Sequence, residues 1–308
     1  MRIIFMGSAE FACPAVEALL GSRHVLAACV TQPDRPKGRH LQLTPCPVKA
    51  LAVARGVPVL TPEKVGEASA ELAALQPDLI AVAAYGQYIP SAISERPRHR
   101  AINIHPSLLP QYRGAAPIQW AVANGDAMTG VSIQYVARRM DAGDLLLQQE
   151  FAIAEDDTAA TLEPRLARAG AELLLRAVDL LETGHVHATP QDESRVSLAR
   201  KLVKADAAMD WQLPARALRN RVRGFQPWPG ACFTFEGRTV KVLQVAVEEG
   251  GGAPGRVLDV EGAGPLVACG EGALRLLSLQ PEGKRAMAGS DFVHGTRLRP
   301  GAHFRQFT

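Results

Sequence analysis

Apolar positions in the first 180 residues come as short saturated runs separated by amphipathic stretches. RIIFMGS reads as a buried strand closed by Gly7, and ACPAVEALLGS as a helix with Val16, Leu19 and Leu20 on one face, stopped at Gly21. Residues 24–30, 57–60 and 78–84 repeat the saturated pattern, with an amphipathic helix at 63–75. Residues 117–124 predict a short helix, 131–136 and 145–153 two more strands, and 158–182 a long helix with Thr158 at its N-cap. Strands alternating with helices argue for right-handed βαβ units. The expectation for residues 1–185 is therefore a doubly wound, mostly parallel α/β sheet. A polar stretch follows, with a connecting segment over 186–206. From Leu213 a helix carries Arg216, Arg219, Arg221 and Arg223, and after FQPWPGA come short strands with turns at Glu236-Gly237, 250–252 and 262–264. That spacing predicts a small β-barrel, OB-like, over 207–308.

Polar residues break the pattern most informatively in AINIHPSLLPQYRGAAP, residues 101–117. At a strand's period of two, Ile102 and Ile104 share one face and Asn103 and His105 the other. Pro106 cannot continue the ladder, so the amide and the imidazole are expected at the strand's C-terminal tip, where open parallel sheets bind ligands. By itself an isolated N-x-H reads as a turn former beside a satisfied surface histidine. Likewise Asp141 and Asp144 in RRMDAGD read by themselves as turn chemistry around Gly143. The turn after the first strand has one glycine where the dinucleotide fingerprint needs three, which argues against nicotinamide or flavin binding. Ser107 lacks the G-x-S-x-G elbow of a nucleophilic serine.

The run NIHPSLLPQYRGAAPIQWAVANGD followed by MDAGD resembles the signature of the formyltetrahydrofolate-dependent formyltransferases, and the likeness continues through KLVKADAAMDW, FQPWPGA and LSLQPEGKRAM. GAAPIQ and the C-terminal segments are most similar to the members that act on methionyl-initiator tRNA. The resemblance implies a catalytic domain at 1–185, a tRNA-binding barrel at 207–308, and formyl transfer from 10-formyltetrahydrofolate to the methionyl α-amino group. It implies Asn103, His105 and Asp141 as catalytic residues, with Asp141 beside His105. Such a transfer passes through a tetrahedral carbon with a developing oxyanion, for which Asn103 and His105 supply donors, while Asp141 orients the ring. Ser107, Leu108, Leu109 and Pro110, with Tyr85 and Gly86 of AYGQYIP, are implied to line the folate site, the latter pair through main-chain groups. Lys37 and Arg39 in the proline-rich loop 31–49, with Arg35 and His40 beside them, and Lys204, Arg219 and Arg223 farther on, are the tRNA-facing candidates. Where members usually show Thr-Pro after the first glycine, this chain has Ser8 and Ala9, and Gln226 stands where they have asparagine.

Bulk properties agree with that picture. Residues 1–183 hold 17 Lys and Arg against 19 Asp and Glu, while the remainder holds 17 against 12, so the second half is the basic one, as a polyphosphate partner would select. The five cysteines show no C-x-x-C spacing, so buried free thiols are expected rather than disulfides or zinc. No apolar run reaches the ~20 residues of a membrane helix, and a cytoplasmic location is expected, with no metal, membrane or obligate protein partner implied. Three other readings compete: a formyltransferase for a nucleotide-linked amine, a formyltetrahydrofolate hydrolase, and an RNA-binding module with an inactive α/β domain. The basic C-terminal half and GAAPIQ weigh against the first. A hydrolase is favoured by an N-terminal regulatory domain, which the opening strand does not suggest. Loss of Asn103, His105 or Asp141 would favour the last, and all three are present.

Overall fold

A computed structural model of the chain describes residues 1–37 and 42–307. In order it forms β1 (Arg2–Gly7), α1 (Cys13–Leu20), β2 (Val25–Val30), β3 (Arg35–Lys37), β4 (Gln42–Thr44), α2 (Pro47–Ala54), β5 (Val59–Leu60), α3 (Ser69–Ala74), β6 (Leu79–Ala83), α4 (Ser91–Ser94), β7 (Ala101–His105), β8 (Arg113–Gly114), α5 (Pro117–Asn124), β9 (Met128–Tyr135), β10 (Leu145–Ala152), α6 (Ala159–Thr183) and β11 (Leu198–Ala199). Beyond these lie α7 (Ala215–Gly224), β12 (Ala231–Phe235), β13 (Arg238–Glu248), β14 (Val257–Asp259), β15 (Leu266–Ala268), β16 (Ala273–Pro281), β17 (Met287–Ala288), α8 (Gly289–Thr296) and β18 (Arg305–Gln306). The chain divides into two compact units: one of residues 1–117, 128–152 and 163–199, the other of 118–127, 153–162 and the residues from 200 onward.

Among the described residues, the first unit holds a seven-stranded sheet in the order β10-β9-β7-β6-β1-β2-β5. β5, β2, β1, β6 and β7 run parallel, and β9 and β10 join antiparallel. Ile3, Ile4, Phe5 and Met6 of β1 are fully buried, as a central strand covered on both faces requires. Strand order reverses between β1 and β6, so the loops after β1, β6 and β7 meet at one edge. Helix α6 covers the face of β7 that carries Ile104, whose methyl occupies the space a Cβ at Gly170 would take. The opposite face, with Asn103 and His105, is left to polar chemistry. Thr158 caps α6 as the sequence predicts, accepting from the Thr161 amide at 3.2 Å.

Three expectations change in detail. The predicted helix at 63–75 is a 3₁₀ turn, Val65–Ala68, leading into the short α3. Within the predicted loop 31–49, Arg35–Lys37 and Gln42–Thr44 instead pair antiparallel as β3 and β4. Of the five free cysteines, Cys29, Cys232 and Cys269 are buried, while Cys13 and Cys46 are only half so.

The second unit is a curled antiparallel sheet, β14-β15-β16-β13-β12-β18, with β17 added beside β16. Phe233, Phe292 and Phe304 are fully enclosed within the curl, and Phe233 stacks on Phe304 with ring centroids 4.2 Å apart. Its two edges approach where the Val257 amide donates to Ala302 O and the Phe304 amide to Gly255 O, both at 2.8 Å. Helix α5 packs on α7 in this unit, Trp120 meeting Phe225 edge to face at 5.4 Å. Among the described residues no helix is long and apolar enough to cross a membrane.

Candidate active site

Antiparallel pairing sets the composition of the site. Asn103 of β7 stands opposite Gln134 of β9, and His105 opposite Ser132, so the period of two places four polar side chains on one face. Gln148 of β10 pairs with Ser132 and extends the row. Ser132 and Gln134 are 0% and 1% exposed, and polar atoms so enclosed must find partners. The Ser132 hydroxyl uses its whole capacity: it donates to Ser107 O at 2.6 Å and accepts from the Leu109 amide at 3.1 Å and Gln148 Nε2 at 2.8 Å. Gln148 Nε2 also donates to Leu109 O at 2.9 Å, and Ser107 Oγ to Gln111 O at 2.6 Å. The SLLP loop is thereby pinned over the end of β9, where Leu108 covers the space above Gly130.

His105 is 4% exposed. Its Nε2 lies 2.9 Å from Tyr112 O and its Nδ1 3.6 Å from Asp141 Oδ1. Tyr112 O is a hydrogen-bond partner of the ring, whereas the Asp141 carboxylate stands just beyond hydrogen-bond reach of Nδ1. Asp141 occupies the left-handed region at φ 50°, which an aspartate tolerates better than most residues. Its Oδ2 accepts from the Gly114 amide at 3.0 Å and its Oδ1 from Gln134 Nε2 at 3.1 Å. Two residues on, a Cβ at Gly143 would stand 1.8 Å from Tyr135 O, so only glycine lets this loop lie against β9. The Asn103 amide is half-exposed and makes no side-chain hydrogen bond among the described residues. Amide, imidazole and carboxylate thus gather at the C-terminal end of β7, an arrangement able to donate hydrogen bonds to an oxygen that gains negative charge.

The folate-facing candidates divide. Ser107, Leu109 and Pro110 are buried and Leu108 is half-buried. The Tyr85 ring is packed among Ile80, Val82, Ile89 and Ile93, and burial pushes its hydroxyl up to about 12. Gly86 is exposed with φ 82°, while the carbonyls of Ala84 and Tyr85 accept from the Ser8 amide and from Gln32 Nε2, each at 3.2 Å. The Ser8 hydroxyl accepts from the Gln32 amide at 2.9 Å, tying the first turn to the end of β2. Ser132, Gln134 and the backbone groups Tyr112 O and Gly114 N–H adjoin these side chains and were not singled out by the sequence. The signal for the two side chains was the alternation in VSIQYV, polar residues facing inward on a strand buried on both sides.

Two family models account for most of the chain: Formyl transferase matches residues 1–178, and Formyl transferase, C-terminal domain, matches 201–297. The methionyl-tRNA formyltransferase of Geobacter metallireducens is 44% identical over 98% of this chain and 97% of its own length. The chain belongs to the methionyl-tRNA formyltransferase family. It is a transferase enzyme. Among solved structures, the formyltransferase resembles HypX from Aquifex aeolicus in complex with tetrahydrofolic acid, with a TM-score of 0.64 and 20% identity, covering all of this chain and about half, 51%, of that one. The sugar 3N-formyltransferase WlaRD, determined in the presence of dTDP and 5-N-formyl-THF, gives a TM-score of 0.68 at 16% identity over 92% of this chain and 99% of its own. These likenesses concern the fold.

The basic candidates of the formyltransferase are placed as follows. Arg219 Nη2 donates to Glu155 O at 2.7 Å, and Arg223 donates to Asp157 O at 2.7 Å and Ala154 O at 2.8 Å. Both guanidinium groups therefore hold the turn before α6. Lys204 is exposed, its Nζ 5.6 Å from the Phe307 ring centroid. Lys37 lies in β3, and Arg39 lies outside the described residues.

Proposed function

We propose that this formyltransferase carries the formyl group of 10-formyltetrahydrofolate to the α-amino group of methionyl-initiator tRNA, with Asn103, His105 and Asp141 as its catalytic residues. The observation that carries the reading is the approach of the Asp141 carboxylate to His105 at 3.6 Å, with the Asn103 amide on the same strand face. The amine attacks the formyl carbon directly, and the carbonyl oxygen gains the negative charge. Asn103 Nδ2 and a His105 N–H donate to that oxygen, and the nearby carboxylate orients the ring. The His105 donor must first exchange Tyr112 O for the substrate oxygen. Collapse breaks the bond from carbon to folate N10, and the proton released by the attacking amine ends on that nitrogen. No covalent enzyme intermediate is required.

Folate is assigned to the cleft between the 84–86 backbone and the SLLP loop, with Ser107, Leu108, Leu109, Pro110, Tyr85 and Gly86 as its walls. The second unit is read as an OB-like barrel that binds tRNA, with Lys37, Arg39, Lys204, Arg219 and Arg223 contacting it. Removing Arg219 or Arg223 also frees the carbonyls they bind, so Lys204 is the cleaner probe of charge.

The test is incubation with 10-formyltetrahydrofolate and charged initiator tRNA, looking for the formylated aminoacyl ester. Its absence overturns the substrate assignment. His105→Ala is expected to lower turnover about a hundred- to a thousandfold, and because the ring is buried it also costs some stability, so turnover is measured at a temperature where a thermal melt shows the variant folded. A folded variant that turns over at the parental rate overturns the catalytic assignment.

A further inference from the structure

Gln191 lies in the stretch between the two family-matched segments, yet its side chain reaches the Asp141 loop. Its Oε1 accepts from Arg113 Nε at 3.0 Å and Nη2 at 2.8 Å. Its Nε2 is within hydrogen-bond distance of Gly143 O at 2.7 Å, Asp141 O at 2.9 Å and Gln134 Oε1 at 3.1 Å. Gln134 Nε2 in turn donates to Asp141 Oδ1, the oxygen that faces His105. We propose that Gln191 and Gln134 are positioning residues of the formyl-transfer site, forming with Arg113 a one-way hydrogen-bond relay that aims the Asp141 carboxylate at His105.

The direction of the relay follows from donor and acceptor inventory. A guanidinium only donates, so it fixes the Gln191 oxygen toward Arg113 and the Gln191 nitrogen toward Gln134. Gln134 must then present oxygen to Gln191 and nitrogen to Asp141. A carboxylate only accepts, so the series closes there without conflict. Reversing either amide would set donor against donor at one end and acceptor against acceptor at the other. Arg113 is 3% exposed and bonded on its far side to Glu193, so the starting point is itself held. β8 pairs in parallel with β11, which anchors both Arg113 and the segment that follows Gln191. At Gly114, φ is 129° and a Cβ would stand 2.4 Å from Ala199 O, so the approach of the two strands depends on that glycine. The same glycine's amide supplies the second donor to Asp141.

This inference rests on the assignment of His105 and Asp141 to catalysis. The test is Gln191→Glu in the full-length enzyme. The new side chain keeps an oxygen for Arg113 but presents a second acceptor to the three oxygens within hydrogen-bond distance of Nε2. Expected are a fall in kcat of roughly tenfold to a hundredfold, unchanged KM for folate and tRNA, a displaced pH profile, and altered ring-nitrogen NMR signals of His105. Gln134→Met, which conserves volume and removes the next step, should give the same pattern, and the double variant should be no worse than Gln134→Met alone. Parental kcat and pH profile in folded Gln191→Glu, additive losses in the double variant, or losses in KM alone would each overturn the relay. His105→Ala measured beside them separates the two levels. If that variant is active the catalytic reading falls, and if it is inactive while Gln191→Glu is not, only the relay falls.

Discussion

Asp141 is fixed by its neighbours' donors and by its own backbone. Asparagine adopts φ near 50° as readily as aspartate, so Asp141→Asn isolates the chemistry of the carboxylate from the conformation of the loop. Its amide would turn a donor toward Gln134 Nε2 or the Gly114 N–H, leaving one of them without an acceptor at about 1–3 kcal/mol. Turnover should fall by at least about a hundredfold, because the carboxylate that orients the His105 ring is lost. The loss should not add to that of His105→Ala. Steady-state kinetics with a thermal melt checks this, and additive losses would mean the two side chains act separately. Residues differ in how legible this was. The placement of Asn103 and His105 at a strand tip was readable from alternation and Pro106, but a role for them needed the resemblance. Asp141 needed the resemblance, since Asp-x-Gly is ordinary turn chemistry. Gln191 gave no local signal, because its partners come from segments 48 to 78 residues away.

At the scale of elements, the strongly patterned pieces were readable: β1, β2, β6, β7 and α6 bury saturated runs or one continuous stripe. The two-residue strands β8 and β11 were not, since nothing in RG or LA distinguishes a parallel pair from a loop. Glu193, just before β11, ties this pair to the Asp141 loop through Arg113 Nη2 at 2.9 Å and Arg139 Nη2 at 2.8 Å. Those two hydrogen bonds hold its carboxyl down from 4.5 to about 2. The folded value lies below the unfolded one, so the stabilisation is complete above about pH 4.5 and is lost as pH falls toward about 2. Glu193→Gln should therefore melt below the parent at neutral pH, and the gap should close across that interval. Glu193 is exposed, so solvent screening keeps the gap small. A gap independent of pH would show that the carboxylate's charge contributes nothing there.

Across the whole molecule, the order of strands and helices made the mostly parallel sheet readable, and regular turns did the same for the antiparallel strands that follow. Chain order conceals that residues 118–127 and 153–162 group with the C-terminal residues, because that grouping is set by contacts such as Trp120 with Phe225. The basic excess after residue 183 is a whole-molecule property with a measurable consequence. Lys204→Ala should weaken tRNA binding, lower the slope of log affinity against log salt by about 0.7 to 0.9, and leave folate affinity unchanged. An unaltered slope would remove Lys204 from the phosphate-contacting set. Finally, β11 makes the stretch after α6 part of the first unit up to Ala199. Segments exchanged between relatives with a crossover near residue 185 would bring a foreign Gln191 and β11 to a native Arg113 and Gly114. A crossover after residue 199 transfers these partners together, so the recombination point compatible with activity lies some fifteen residues beyond the end of the long helix.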